Sequence, residues 1–229
     1  KGQQIGWGPG SPVGYPNADI KAPQGWEETT GSADVVIGIV DTGIDLAHPD
    51  LKNKISGTGR DFVNDDLVAA DDHGHGTMVA GIAGAETDNG EGIAGVGWSC
   101  RLLPVKVLDA LGAGTEDRII QGLSWAVENG AKVISLSFGA PTAGQALKDA
   151  IKKAVETSGV VVVAPSGNDN TAVYAPASID PHVLAVAATD HNDARWVNSN
   201  FGAEVDVAAP GFQIFTTYPI ALSSGALPY

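Results

Sequence analysis

The chain has 229 residues, of which 43% are hydrophobic, and this composition suits one globular domain with a sizeable buried core. Thirteen basic and twenty-seven acidic residues give a net charge of −14, which disfavours nucleic acid and other polyanions as partners and favours cations. The single cysteine, Cys100, excludes an intrachain disulfide and is expected to be buried. No apolar run marks a signal peptide or approaches the ~20 residues that span a membrane.

Apolar runs rich in β-branched residues recur along the chain and predict strands. The first, DVVIGIV at residues 34–40, lacks the alternation of a strand with one exposed face, so we expect it to be buried on both faces. Four later runs have the same continuous apolar character, and they predict similarly buried strands over residues 101–108, 132–137, 160–165 and 182–188.

Two amphipathic segments between these runs predict helices with recognisable ends. Residues 116–129 follow Thr115 as a side-chain cap, carry two acids in the first turn and precede Gly130. The segment Gln145–Ser158 repeats the apolar pattern and stops at Gly159. Strands that alternate with helices predict a three-layer α/β/α domain with a mainly parallel central sheet. In such a domain the functional site lies at the carboxyl ends of the strands.

The stretch GIVDTGID places Asp41 and a Thr-Gly turn at the end of the first predicted strand. Two classes of peptidase use this pattern. In aspartic peptidases it carries half of a carboxylate pair, and in serine peptidases the aspartate orients a histidine. The aspartic class is nearly all β and needs a second Asp-Thr-Gly, which this chain lacks. The sequence therefore favours the serine class, with the aspartic class as an alternative.

The stretch DDHGHGTMVAGIAG sets His75 just before an apolar segment rich in small residues. A histidine in this place lies at a helix N-terminus, where the neighbouring glycines allow substrate or backbone to approach closely. The spacing of His73 and His75 also suits zinc, but the residues that follow provide no third ligand, so zinc is not expected.

The stretch VVVVAPSGNDN runs from a predicted strand into a Ser-Gly-Asn turn. This turn presents the amide of Asn168 at the edge of the sheet, where an acyl-transfer enzyme needs a hydrogen-bond donor for a developing oxyanion. Alone the signal is weak, because asparagine and glycine are ordinary turn residues. An aspartate and a histidine earlier in the chain make it strong.

These stretches, together with GIAGVG, VKVLDALGAGT, VISLSFGA and VDVAAPG in this order, resemble the subtilisin-like serine peptidases from about Ile20 onward. The resemblance implies one catalytic domain over residues 1–229 and a secreted, extracellular endopeptidase that acts on proteins and peptides. It implies that Asp41 orients His75, that His75 is the general base for a serine hydroxyl, and that Asn168 binds the oxyanion.

The resemblance also implies a cleft in which a substrate strand is held by main-chain hydrogen bonds between two extended segments. These segments are Gly112, Ala113, Gly114 and Ser137, Phe138, Gly139. The primary pocket is expected to be lined by residues 137–139 and 164–167, among them Pro165 and Ser166. Small residues there imply a preference for a large apolar or aromatic side chain before the cleaved bond. Pro165 departs from the small alanine common in the family.

Calcium is the cofactor that the resemblance implies, at two loops. The first resembles the family's tight site, with ligands from the side chains of Asp50 and Asn89 and the carbonyls of Thr87, Glu91 and Ile93. The second, RDFVNDD, resembles a loop of thermitase-like members, and its candidate ligands are Asp61, Asn64 and Asp66. A solvated acidic surface is the alternative for this second loop.

The nucleophile motif of the family, Gly-Thr-Ser-Met-Ala, appears nowhere in the 229 residues. Ser223 and Ser224 lack the preceding Gly-Thr and the apolar helix that should follow. We therefore expect the serine to follow Tyr229, in a longer chain or in a companion fragment left by autolysis, and these residues alone to be inactive. A peptide-binding module without catalysis is the remaining hypothesis.

Overall fold

The computed structural model describes residues 18–223, so Ser224 and Tyr229 lie outside the described residues. Within that range the strands are β1 (Val36–Asp41), β2 (Arg60–Asp61), β3 (Arg101–Lys106), β4 (Ala131–Ser135), β5 (Val161–Pro165), β6 (Leu184–Thr189) and β7 (Val207–Pro210). They form one sheet in the order β2-β3-β1-β4-β5-β6-β7. Every neighbouring pair is parallel, so all carboxyl ends lie at one edge.

The helices in the described part of the chain are α1 (Ala22–Glu28), α2 (His75–Gly84), α3 (Glu116–Glu128) and α4 (Gln145–Ser158). Short 3₁₀ turns occupy Lys52–Lys54 and Ile220–Leu222. The predicted start of α3 and both predicted ends of α4 are confirmed, and α3 ends at Glu128, one residue before the predicted end. The Thr115 hydroxyl accepts a hydrogen bond from the Arg118 N–H, and Gly159 ends α4 at a φ of 67°. None of these helices is long and apolar enough to cross a membrane.

The helices cover the two faces of the sheet unequally. On one face Val40 packs with Leu123 of α3 and Ile151 of α4 in the larger of two apolar clusters. On the other face Ile39 packs with Ala80 of α2 in the smaller cluster. Because Val40 and Ile39 are consecutive in β1, they point to opposite faces. The predicted three-layer α/β/α arrangement is confirmed.

The face that carries α2 is open beyond β4, because none of the helices within residues 18–223 covers β5, β6 or β7 there. Val161, Leu184 and Val207 point to this open face and are 50%, 39% and 46% exposed. Burial on both faces is thus confirmed for β1, whose last four residues are buried. It is wrong for β5 and β6, in which exposed or half-buried residues alternate with buried ones.

Several element boundaries differ from the prediction. β3 ends at Lys106 and not at residue 108, because the N–H groups of Val107 and Leu108 both donate to the carbonyl of Asp41, at 2.9 and 3.1 Å. The sequence did not predict α1, β2 or β7, and the two strands are too short, at two and four residues, to show a period. Cys100 is buried and unpaired, as expected.

Candidate active site

Asp41 is the last residue of β1, and its side chain is fully buried. Its Oδ1 atom lies 2.7 Å from Nδ1 of His75 and accepts a second hydrogen bond from the Thr42 N–H, also at 2.7 Å. A carboxylate can only accept in such a contact, so Nδ1 of His75 carries the proton and the tautomer is fixed. The other ring nitrogen, Nε2, keeps its lone pair, and a general base needs that lone pair.

His75 is the first residue of α2, and its side chain is 37% exposed. The hydrogen bond to Asp41 raises the pKa of His75 above its ordinary value, and this effect exceeds the opposing effect of partial burial. The negative charges of Asp41 and Asp71 add to the increase. The site therefore contains an accessible imidazole whose basicity is increased by a buried carboxylate.

Asp71 holds the loop that leads into α2, and the sequence analysis did not identify this role. Its Oδ1 accepts hydrogen bonds from the Thr42 hydroxyl and from the N–H groups of His73 and Gly74, and its Oδ2 accepts two from Thr77. Burial alone would raise the pKa of Asp71, but these donors outweigh it and lower the pKa. An aspartate just before a helix is a capping signal that could have identified it.

Lys106 is a second positioning group that the sequence analysis missed. Its side chain is 1% exposed, and its Nζ donates to the carbonyls of Thr42 and Leu108 at 2.7 and 2.9 Å and to Asp72 Oδ1 at 2.6 Å. Thr42 follows Asp41, Asp72 lies in the loop before α2, and Leu108 leads to the predicted substrate segment. One buried ammonium group thus joins three loops of the site.

Gly76 allows α2 to approach the turn after β1. A Cβ atom at Gly76 would lie 2.0 Å from the carbonyl oxygen of Gly43 and 3.2 Å from Cβ of Asp41. Contacts this short do not occur, so a side chain at this position would push the helix away from the strand end. The glycine in the His-Gly-Thr sequence is therefore needed for the contact between Asp41 and His75.

Two threonines near the far end of the described chain hold the middle of α2. Thr216 Oγ1 donates to the carbonyl of Met78 and Thr217 Oγ1 donates to that of Thr77, both at 2.7 Å. The sequence separations of these contacts are 138 and 140 residues. A Cβ atom at Gly81 would lie 2.2 Å from Thr217 Oγ1, so the segment fits only against a glycine.

A pocket of about 340 Å³ opens at the carboxyl ends of β4, β5 and β6. Asn168 lies at this pocket and is exposed, and its side-chain amide has no hydrogen-bond partner among residues 18–223. Of the predicted pocket residues, Ser137 and residues 164–167 line it, with Pro165 and Ser166 among them. Residues 186–188 and 209–211 also line the pocket and were not predicted from the sequence.

The remaining residues of the predicted substrate segments lie outside this pocket. Phe138 packs against the larger apolar cluster, and a Cβ atom at Gly139 would lie 3.1 Å from a carbonyl oxygen of residue 175. Residues 112–114 (Gly112, Ala113, Gly114) form an exposed turn. Glu116 follows this turn, and its Oε1 accepts a hydrogen bond at 2.7 Å from the N–H of Gly144. This hydrogen bond joins the chain just after the first segment to the chain five residues beyond the second.

Asp50 and the loop over residues 86–93 converge on one buried carboxylate. Asp50 is fully buried, and its oxygens accept hydrogen bonds from Asn89 Nδ2 at 2.6 Å and from the Ile93 N–H at 2.9 Å. Rotating the Asn89 amide would set its oxygen beside the carboxylate, in a pair that suits calcium, but it would break the hydrogen bond that Asn89 Oδ1 accepts from the Glu91 N–H at 3.1 Å. The carbonyls of Thr87, Glu91 and Ile93 accept no hydrogen bond within residues 18–223. This donor set fits calcium.

The second predicted calcium loop is already bonded internally. Asp61 is 2% exposed, and its carboxylate accepts hydrogen bonds from the N–H groups of Val63 and Asn64 and from the Asn64 side chain. Asp66 is exposed and its Oδ1 accepts from the Val68 N–H. These contacts fit calcium less well, and across residues 18–223 no group of three or more His, Cys, Asp or Glu could hold a metal. Calcium at this loop stays a prediction.

Comparison with known proteins gives matches over most of the chain. The sequence model of the subtilase family matches residues 32–226. Thermitase of Thermoactinomyces vulgaris is 44% identical over 205 residues, which are 90% of this chain and 72% of that protein. A thermophilic serine proteinase of Bacillus sp. (strain AK1) is 42% identical over 192 residues, 84% of this chain and 47% of that protein. The crystal structure of a cold adapted subtilisin-like serine proteinase matches with a TM-score of 0.73 and 32% identity, covering 82% of this chain and 67% of that chain.

Proposed function

The chain belongs to the subtilase family of serine endopeptidases, and on that premise we propose that it supplies the aspartate, the histidine and the oxyanion donor of a peptide-hydrolysing site. The observation that carries this proposal is the 2.7 Å contact between the buried Asp41 and the part-exposed His75. The aspartic alternative is wrong, because the partner of Asp41 is an imidazole and the family consists of serine peptidases.

In the proposed reaction, Nε2 of His75 takes the proton of a serine hydroxyl while the serine oxygen attacks the carbonyl carbon of the peptide bond. Asp41 keeps the ring in the required tautomer and stabilises the imidazolium that forms. The amide of Asn168 donates to the carbonyl oxygen as that oxygen becomes negative. His75 then gives the proton to the leaving amine, and water hydrolyses the acyl-enzyme by the same steps.

The nucleophile is the one triad member without a candidate in the sequence, because Gly-Thr-Ser-Met-Ala does not occur in the 229 residues. We propose that a further segment of the same protein carries it, either continuous with this chain or held as a companion fragment. The open face of the sheet supports this proposal, since it lies on the same side as α2 and leaves Val161, Leu184 and Val207 exposed. An apolar helix packed there would cover these side chains and bring a serine toward His75.

The proposed specificity is for large apolar or aromatic side chains before the cleaved bond. The support is the pocket of about 340 Å³ next to Asn168, whose lining consists mainly of alanine, serine, glycine, valine and proline. Such a lining has room for a ring and places no charge at its wall.

We propose calcium as a structural ion at Asp50 and the 86–93 loop. The support is the buried carboxylate, the adjacent Asn89 amide and the carbonyls that accept no hydrogen bond from the described residues. An ion bound there stabilises only the folded state and ties the loop after α2 to the turn that holds Asp50.

We also propose that the protein is secreted, as the resemblance to subtilisins implies. The single cysteine is consistent with this, because packing and calcium can replace disulfides as sources of stability. Fractionation of the source cells tests the proposal, and recovery of the protein only from the cell interior would reject it.

Labelling with a serine-directed fluorophosphonate probe tests the enzyme assignment. We expect the purified protein, with all its chains present, to be labelled and to lose peptidase activity at the same rate as it is labelled. The variants Asp41→Asn and His75→Ala should be labelled far more slowly. The exposed change Asn192→Ala is the matched control. Denaturing mass spectrometry should locate the label on a Gly-Thr-Ser peptide.

A catalytically inactive peptide-binding module is the second candidate function, favoured by the missing nucleophile motif. In that case peptides would bind in the cleft, the fluorophosphonate would not react, and mass spectrometry would find no Gly-Thr-Ser segment in the protein. Peptide binding measured by calorimetry, alongside the labelling, separates the two functions.

A further inference from the structure

Asn200 is a completely buried asparagine whose side chain contacts the turn that carries Asn168. Its Oδ1 accepts hydrogen bonds from the N–H groups of Asp169 and Thr171, at 2.8 and 3.1 Å. Both donors follow Asn168 in the chain, within three residues of it. One side-chain oxygen therefore fixes the course of the backbone immediately after the proposed oxyanion donor.

The backbone of Asn200 fixes the same turn on its other side. The Asn200 N–H donates to the carbonyl of Gly167 at 2.8 Å, and the Asn200 carbonyl accepts from the Ser166 hydroxyl at 3.0 Å. Ser199 Oγ donates to the same carbonyl at 3.2 Å. Asn168 is thus bracketed, before and after, by residues that are bonded to Asn200.

The amide nitrogen of Asn200 is an exception among buried polar groups. Nδ2 is buried and has no hydrogen-bond partner in the described part of the chain. It cannot exchange places with Oδ1, because an NH₂ group would then face the two N–H donors of Asp169 and Thr171. The two Oδ1 contacts therefore fix the orientation of the amide, even though Nδ2 gains no partner from the described residues.

The amide also packs directly on the turn. A Cβ atom at Gly167 would lie 2.3 Å from Asn200 Nδ2, and Gly167 has a φ of 112°, where glycine is strongly preferred. The exposed amide of Asn168 itself has no hydrogen-bond partner among residues 18–223, so no hydrogen bond of its own sets its direction.

We propose that Asn200 is the positioning residue of the oxyanion site, holding the turn so that the Asn168 amide faces the pocket before substrate arrives. A donor fixed in advance needs no reorganisation when charge develops, which is the basis of oxyanion stabilisation. This inference rests on the proposed function, because it concerns a group that acts only during peptide hydrolysis.

A double-mutant cycle in the complete, active protein tests the inference. The variants are Asn200→Ala, Asn168→Ala and the double variant, with Asn192→Ala as a control in an exposed turn closed by Asp190. Each is assayed for kcat and KM on a chromogenic peptide, for affinity of a peptide boronate that forms a tetrahedral adduct, and for folding by circular dichroism.

We expect Asn200→Ala to lower kcat and boronate affinity by about 10- to 100-fold while KM and the affinity for a product peptide change by less than about twofold. In the Asn168→Ala background the same change should lower kcat by less than about threefold, because the group that Asn200 positions is already gone. Asn192→Ala should leave every value unchanged.

An equal loss of kcat in both backgrounds, or a loss confined to KM or to thermal stability, would overturn the proposal and leave Asn200 a packing residue. If Asn200→Ala does not fold, Asn200→Ser keeps a shorter oxygen acceptor at the position and is judged by the same two comparisons. A parent protein that neither hydrolyses peptides nor reacts with the fluorophosphonate would overturn the proposed function, and this inference with it.

Discussion

Replacing Lys106 with methionine removes the ammonium group that joins three loops of the active site while keeping a side chain of similar length. Nζ of Lys106 donates to the carbonyls of Thr42 and Leu108 and to Asp72, and the side chain is 1% exposed. Water cannot easily replace the donor for the two carbonyls. Asp72 is 49% exposed and can be solvated after the change.

The expected cost follows from these three contacts. Each buried carbonyl left without a donor costs about 1–3 kcal/mol, and the half-exposed carboxylate adds little once it is hydrated. Methionine packing recovers part of the loss, so we expect the free energy of unfolding to fall by roughly 2–4 kcal/mol. For a chain of this size that corresponds to a decrease in Tm of roughly 5–15 °C.

Scanning calorimetry at neutral pH measures the change, with Lys152→Met as the control. Lys152 lies on the exposed side of α4, and its replacement changes the net charge by the same amount. We expect the control to stay within about 2 °C of the parent protein. A Lys106→Met protein with a Tm equal to that of the control would refute the argument that this ammonium group joins the loops.

Three other changes give further predictions. Because Asp41 raises the pKa of His75, kcat/KM of the complete enzyme should rise with pH around a midpoint above ~6.5. Asp41→Asn should move this midpoint to lower pH and also lower the rate. A midpoint near pH 4 in the parent enzyme would contradict the prediction. Calcium at 100 times its Kd contributes ~2.7 kcal/mol, so EDTA should lower Tm by roughly 5–10 °C in the parent protein and by clearly less in Asp50→Ala, which lacks this site. Gly81→Ala places a methyl group 2.2 Å from a threonine hydroxyl and should cost about 1–3 kcal/mol in urea unfolding, whereas Gly25→Ala, with nothing within 4 Å, should cost nothing.

Local signals carried most of the fold prediction. Thr115 and Gly159 mark helix ends through contacts within a few residues, so the sequence alone identifies them. Asp41, His75 and Asn168 could be proposed from the sequence because each follows or begins an element whose pattern is clear there. The short strands β2 and β7 were missed, because their pairing depends on neighbours far away in the chain and not on their own period.

The supporting groups of the site could not be predicted in the same way. Lys106 reads as one polar residue in an apolar run, and its role depends on three loops that only the folded chain brings together. Asn200 lies 31 residues from Asp169, and its Oδ1 accepts a hydrogen bond from the Asp169 N–H. Two-sided burial was expected of β5 and β6 from their apolar composition, but composition does not indicate whether a second layer covers a strand.

The threonine contacts on α2 also determine when the site can form during synthesis. Thr217 reaches back 140 residues to the carbonyl of Thr77, and Thr216 makes a parallel contact to Met78. A ribosome adds roughly 5–20 residues per second, so about 7–28 s separate the two sides of the Thr217–Thr77 contact. During that interval the histidine helix exists without its distant support, and contacts of such long range form late in folding. Until the residues around Thr217 have been made, a nascent chain therefore lacks two of the contacts that hold the helix carrying the proposed general base.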